Sequence, residues 1–247
     1  MFAFGLCLVL AVAVIGWHFI ARLLRPAAPD AQPSPLAAAL LLAAGFLILV
    51  GAAAGFAEIA EEIGPGGDIA RFDEAFAAAI AASLALPTRQ FFAGVTRLGD
   101  PSTLIALALA VAAVLVVRGR RRLAFAWLLA LAGSSLLNGT LKRIFERVRP
   151  IHEPGFVDAP GWSFPSGHSS GAVVAYGLLA YLLVRALPAR WHLPVVLTAA
   201  ALAFTIGSSR VFVQVHFASD VVAGFLSGSG WLTVCILGFE FARRRRR

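Results

Sequence analysis

Sixty per cent of the 247 residues are hydrophobic and 14 % are charged, giving a mean hydropathy of +0.84. A water-soluble domain of that length needs more polar surface, so the composition excludes one and leaves a polytopic membrane protein. The net charge of +8 argues for an anionic lipid surface, and against nucleic acid, as the partner of the basic residues.

Seven apolar stretches without Asp, Glu, Lys or Arg follow one another: residues 2–21, 36–57, 101–117, 123–141, 169–184, 193–209 and 221–239. They run from 16 to 22 residues, against about 20 needed to span the hydrocarbon. The shortest, from Ser169, gains length from the turn before it or from a snorkelling Arg185. The fold class expected is therefore all-α: a polytopic membrane helical bundle with a six-helix core plus one extra N-terminal transmembrane helix.

The first stretch has no basic residue before it, so it lacks the positive start of a secretory signal. It is read as the extra helix, in an N-terminal unit of residues 1–35, with the core at 36–247. Four prolines make 25–35 a short loop. The polar stretch 58–100 opens acidic, with Glu58, Glu61, Glu62, Asp68, Asp73 and Glu74. Phe72, Phe76, Ile80 and Leu84 recur there every four residues, which predicts an amphipathic helix in the interface, ended by Pro87. That helix is read either as a rim for lipid access or as a connector.

Charge placement predicts orientation. Threading seven spans puts Arg22, Arg25, the Arg118–Arg122 cluster, Arg185, Arg190 and the C-terminal arginines on one side, 13 of the 21 basic residues. Short loops rich in Lys and Arg stay in the cytoplasm. The expected location is the inner (cytoplasmic) membrane, multi-pass, with the C-terminus cytoplasmic and the candidate site facing the exterior or periplasm. Cys7 and Cys235 both fall inside apolar spans, so neither a disulfide framework nor a metal quartet is expected.

Three short motifs lie at the ends of apolar stretches on that outer side. The first is Lys142-x6-Arg149-Pro150. On a continuous helix its two cations, two turns apart, share a face about 10 Å apart, and Pro150 stops the helix. Arg143 and Arg147 are read as interfacial cations. The second, Pro165-Ser166-Gly167-His168, precedes the apolar run from Ser169. With Pro165 in the first turn of a helix, the amides of Ser166, Gly167 and His168 would point outward and suit an anion, and His168 stands where it can donate a proton. The third is Ser209-Arg210-x5-His216-x3-Asp220, with a turn expected around Val213-Gln214. His216 and Asp220 stack on one face if helical, so the carboxylate can orient the imidazole and free its other nitrogen as a nucleophile. A purely structural His–Asp pair is the alternative, though ionisable groups at span ends are functional candidates by default.

Together these motifs resemble the signature of the type 2 phosphatidic acid phosphatase superfamily, which also contains the vanadium haloperoxidases. The resemblance covers about residues 72–239, with Phe72-Asp73 and Thr96-Arg97-Leu98-Gly99-Asp100 as weaker upstream matches. It implies a lipid phosphatase in which His216 attacks phosphorus and forms a phosphohistidine, Asp220 orients His216, and His168 protonates the leaving group and then activates water. It further implies that Lys142, Arg149, Arg210, Ser166 and Gly167 bind the phosphoryl group. No carboxylate cluster suited to a metal accompanies the motifs, so metal-independent hydrolysis without a cofactor is expected.

The substrate is expected to be a membrane lipid phosphate or pyrophosphate, such as undecaprenyl pyrophosphate, phosphatidate, phosphatidylglycerol phosphate or a lipid A phosphate. The short connection 151–164 favours a small head group. A phosphotransferase of the same family and a non-enzymatic lipid transporter are the alternatives; a transporter should carry charges at mid-membrane. Oligomeric state is not predicted by any of these features.

Overall fold

The computed structural model describes residues 1–23, 35–150, 157 and 159–244. Nearly all of the 25–35 loop, residues 151–156 of the expected connection and the last three arginines lie outside that description. Nine α-helices occur among the described residues, with no strand: α1 Phe2–Leu23, α2 Pro35–Glu62, α3 Asp68–Ser83, α4 Leu86–Thr96, α5 Pro101–Val117, α6 Arg121–Phe145, α7 Gly167–Val184, α8 His192–Phe212 and α9 Ala218–Arg244.

Five of them (α2, α6, α7, α8 and α9) are long and apolar enough to cross a membrane, and α4 and α5 pass the same test as a pair bent by 42°. The protein is a multi-span membrane helical bundle. The count departs from the seven separate spans expected. Alone, α5 has 17 residues, and the described apolar part of α1 is the shorter Phe2–His18. The first helix lies antiparallel along α8: Phe2 packs on Phe204 and Phe212 at one end, and Trp17 meets His192 at the other.

The polar stretch at 58–100 differs from the single amphipathic helix expected. α2 continues to Glu62, and two further helices follow. The helix carrying Phe72 and Phe76 already stops at Ser83, with Leu84 in extended backbone. Pro87 therefore ends nothing. It stands in the first turn of α4, where a residue without an N–H leaves no helical bond unmade.

At the centre, α7 packs against α5, α6, α8 and α9, while α2 covers α9 and α1 covers α8. Trp127 of α6 is fully buried against α5 and α7, beside Leu115, Val174 and Leu178, and its indole N–H donates to the Ala108 carbonyl at 3.0 Å. A buried indole in a bilayer needs such a partner because no water is available.

Close approach of α7 and α9 sets up the site. A Cβ at Gly224 would lie 2.6 Å from the Ser166 carbonyl oxygen, and one at Gly228 would lie 2.9 Å from Ser170 Cα. Two small residues four apart let the helix backbones touch, as in other membrane helix pairs. Asp220 is one turn before Gly224 on the same face, so this contact delivers its carboxylate to the start of α7.

Candidate active site

The motif residues converge at one end of the bundle, where α6 and α8 finish and α7 and α9 begin. The intervening chain is pinned by Phe164, fully buried between Phe56 and Phe145 at 5.3 and 5.1 Å. Ser163 is thereby held beneath the start of α9.

Asp220 occupies the third position of α9 and accepts the Phe217 N–H at 2.9 Å, as a carboxylate in a capping box does. The same Oδ2 accepts Ser163 Oγ at 2.7 Å and faces His216 Nδ1 at 3.2 Å. His216 precedes α9 rather than lying on it, because α8 ends at Phe212 and the turn expected at Val213-Gln214 follows, with Gln214 in the left-handed region (φ 62°). On the other side of the ring, Arg149 Nη1 lies 3.1 Å from His216 Nε2. A guanidinium only donates, so Nε2 must be the unprotonated nitrogen and Nδ1 carries the hydrogen given to Asp220.

Burial lowers the His216 pKa to about 3; Asp220 opposes the shift, while Arg149 and Arg210 add to it. The imidazole is therefore neutral throughout the neutral range. Between about pH 6.5 and pH 3 an unfolded His216 would take up a proton that the folded one refuses. Its contribution to stability is complete above pH 6.5 and is lost as pH falls through that window. The expected measurement is a thermal midpoint that declines on acidification below pH 6.5 in the wild type and declines less steeply in His216→Gln.

Arg149 does not continue α6. Glu146 takes a left-handed conformation (φ 42°) and its N–H closes on the Lys142 carbonyl, a common way to finish a helix. The shared helical face expected for Lys142 and Arg149 is thus corrected: Lys142 is on the last turn, and Arg149 is in the extended chain before Pro150. They meet on the same strip of backbone instead. Lys142 Nζ donates to the Trp162 carbonyl and, at 3.2 Å, to that of Ser163. Arg149 donates to the Gly161 and Val215 carbonyls at 2.9 and 2.6 Å. Burial holds the Arg149 guanidinium below its usual pKa, with Asp220 opposing.

Arg210, 2 % exposed, donates from Nη1 to Thr96 Oγ1 at 2.7 Å. Its Nε is buried with no hydrogen-bond partner among the described residues, an unmet donor of the kind an anionic ligand satisfies. Arg149 follows the end of α6, Arg210 lies in the last turn of α8, His168 in the first turn of α7 and His216 just before α9, so the four groups share one end of the bundle.

In the second motif, Ser166 is the N-cap of α7 and its Oγ accepts the Ser169 N–H at 3.3 Å. The expected set of three outward amides is corrected to two. The Ser166 N–H is spent on the Asp220 carbonyl at 2.9 Å, leaving Gly167 and His168 as the first amides of the helix. Pro165 precedes the helix instead of occupying its first turn. His168 Nε2 lies 2.8 Å from Asp100 Oδ1.

Arg147 was missed by sequence reasoning, which read it as an interfacial cation. It donates to Asp220 Oδ1 and Asp73 Oδ2, each at 2.8 Å, and to Ser219 Oγ at 2.7 Å, and lies over the Phe217 ring at 4.3 Å. Asp73, fully buried, also accepts the Ser219 N–H at 3.1 Å. The signal available was the Phe72-Asp73 pair itself, one of the weaker upstream matches, which sets a carboxylate next to the aromatic stripe of α3.

Known proteins resemble this chain in sequence and in fold. The family model described as the PAP2 superfamily matches residues 123–244. Phosphatidylglycerophosphatase B of Bacillus subtilis is 36 % identical over 156 residues, 62 % of this chain and 76 % of that protein. Lipid A 1-phosphatase of Rhizobium etli is 34 % identical over 110 residues, 41 % of this chain and 43 % of the relative. The crystal structure of a transmembrane PAP2-type phosphatidylglycerolphosphate phosphatase from Bacillus subtilis superposes with a TM-score of 0.74 at 32 % identity, covering 81 % of this chain and all of that one. By sequence and by fold, the chain belongs to the PAP2 superfamily.

Proposed function

We propose that the protein removes the terminal phosphate of a membrane lipid by way of a phosphohistidine on His216. The coarse assignment, a membrane hydrolase of the lipid-phosphatase kind, follows from its family and relatives. The observation that carries the finer reading is the buried, neutral His216 with Nδ1 committed to Asp220 and Nε2 held toward Arg149.

In the first step the Nε2 lone pair forms an N–P bond as the bond from phosphorus to the leaving oxygen breaks, and His168 gives that oxygen a proton. In the second, His168 takes a proton from water, the resulting oxygen bonds to phosphorus, and the N–P bond breaks to return His216. Arg149 must turn from Nε2 to the phosphoryl oxygens for attack to begin. Lys142, Arg210, the Ser166 hydroxyl and the Gly167 amide hold the same oxygens. Fixed cations of this kind are worth about 10³–10⁵ in phosphoryl transfer and do the work of a metal here.

An open cavity of about 330 Å³ lined by Val148, Arg149, Gly161 and Trp162 adjoins Arg149, suited to a small head group. The site end of the bundle is opposite the Arg185–Glu240–Arg243 ion-pair cluster, which supports an outward-facing site. Phosphatidylglycerol phosphate is the first substrate to test, with phosphatidate and undecaprenyl pyrophosphate beside it.

Purified protein given the ³²P-labelled lipids should release phosphate in excess chelator, be inhibited by vanadate, and yield an acid-labile, base-stable labelled protein on quenching. Turnover that stops with chelator, with no labelled protein, overturns this reading. Transfer of label to an added acceptor lipid in preference to water would make the protein a phosphotransferase instead.

A further inference from the structure

The three signature motifs do not supply every group that holds the reacting side chains. Asp100 is the N-cap of α5, yet its carboxylate makes no capping bond to that helix. An N-cap aspartate ordinarily accepts the amide of the second or third residue of the helix. Asp100 reaches across to α7 instead, where Oδ1 lies 2.8 Å from His168 Nε2.

The neighbouring residues are shaped to the same end. A Cβ on Gly99 would lie 2.5 Å from Ile206 Cγ2 and 3.0 Å from His168 Cδ2, so a side chain there would displace the ring. Leu98 accepts the Tyr176 hydroxyl of α7 at 2.8 Å, and Arg97 accepts Thr103 Oγ1 at 2.7 Å. Thr96 holds Arg210. The bend between α4 and α5 is therefore tied both to the histidine and to one of the phosphate-facing cations.

We propose that Asp100 is a positioning residue for the reaction, orienting His168 by taking its Nε2–H and leaving Nδ1 for the leaving oxygen. This rests on His168 being the proton donor. The arrangement inverts that at His216, where Nδ1 goes to the carboxylate and Nε2 is left for phosphorus. Arg149 and Arg210 are the cations acting on His168, and Asp100 supplies the negative charge that an imidazolium among them requires.

Asp100 is about one-third exposed (36 %) and does not cap its helix, so Asp100→Asn leaves the fold in place. The test compares wild type, Asp100→Asn, His168→Ala and the double variant on two substrates, an alkyl phosphate lipid and p-nitrophenyl phosphate. An alkoxide needs a proton to leave; p-nitrophenolate does not. In the burst of leaving-group release, which reads the first step before His168 acts on water, Asp100→Asn should slow the alkyl substrate by about 10- to 100-fold, with substrate affinity and the aryl burst near wild type. It should add nothing in the His168→Ala background, since residues acting through one another are not additive.

Equal losses of burst rate on both substrates, a change confined to substrate affinity, or additive losses would overturn the role of Asp100. If His168→Ala shows the leaving-group dependence and Asp100→Asn does not, Asp100 alone is misassigned. If His168→Ala itself shows none, the donor reading falls, and the role of Asp100 falls with it.

Discussion

His216→Ala is expected to lower phosphate release by about 10⁴-fold or more, the scale on which removing the nucleophile of a covalent mechanism acts, and to abolish the acid-labile labelled intermediate. The size follows from the geometry. His216 Nε2 is the unprotonated nitrogen of a ring that burial keeps neutral, and the other imidazole, on His168, is occupied by Asp100. Among the described residues, no second imidazole lies beside Arg149. The variant should still fold, because Asp220 keeps its bonds to Ser163, Phe217 and Arg147 and Arg149 keeps its carbonyl partners. Labelled protein persisting in His216→Ala, measured beside an unchanged elution profile in detergent, would remove His216 from the nucleophilic role.

Arg147→Met is expected to cost about 3–5 kcal/mol of stability, the penalty for leaving buried charge without its partner. Arg147 stands between two fully buried carboxylates, Asp73 of α3 and Asp220 of α9; removing it leaves them facing one another. Activity should fall as well, by about 10²-fold in kcat, since a small displacement of a group that orients a nucleophile has that effect. Asp73→Asn in the Arg147→Met background should recover part of the stability by removing one of the two charges. Thermal unfolding in detergent reads both results. An Arg147→Met midpoint equal to wild type would mean that the bridge carries no net stabilisation.

The contrast between Arg147 and Arg149 shows where sequence reasoning ended. Spacing alone put Lys142 and Arg149 on one helical face and left Arg147 at the interface. What decides the matter is the end of α6 at Phe145, closed by the left-handed Glu146, after which the chain is extended. Once the helix stops, the direction of each arginine depends on partners far along the chain, and Asp73 and Ser219 are 146 positions apart. Pro87 is a similar case. A proline reads as a helix stop or a helix start according to whether the preceding helix has already finished, and here it has.

His216 and Asp220 needed less. Four residues is a separation that brings side chains together on a helix, and the pair forms even though His216 precedes α9, because Asp220 is drawn to the Phe217 amide at the helix start.

From its order of residues alone the chain is committed to a lipid environment, to helices, and to a ring of cations and imidazoles at one end of them. Those are properties of composition and of short-range spacing, which survive without knowledge of the partners. The choice of which cation bonds a carboxylate and which faces His216, the seat of His168 on Asp100, and the burial that keeps His216 neutral arise only when α7 and α9 touch through Gly224 and the α4–α5 bend closes on α7. Desolvation and hydrogen-bond geometry act between groups remote in sequence, so they come into being with the packed bundle.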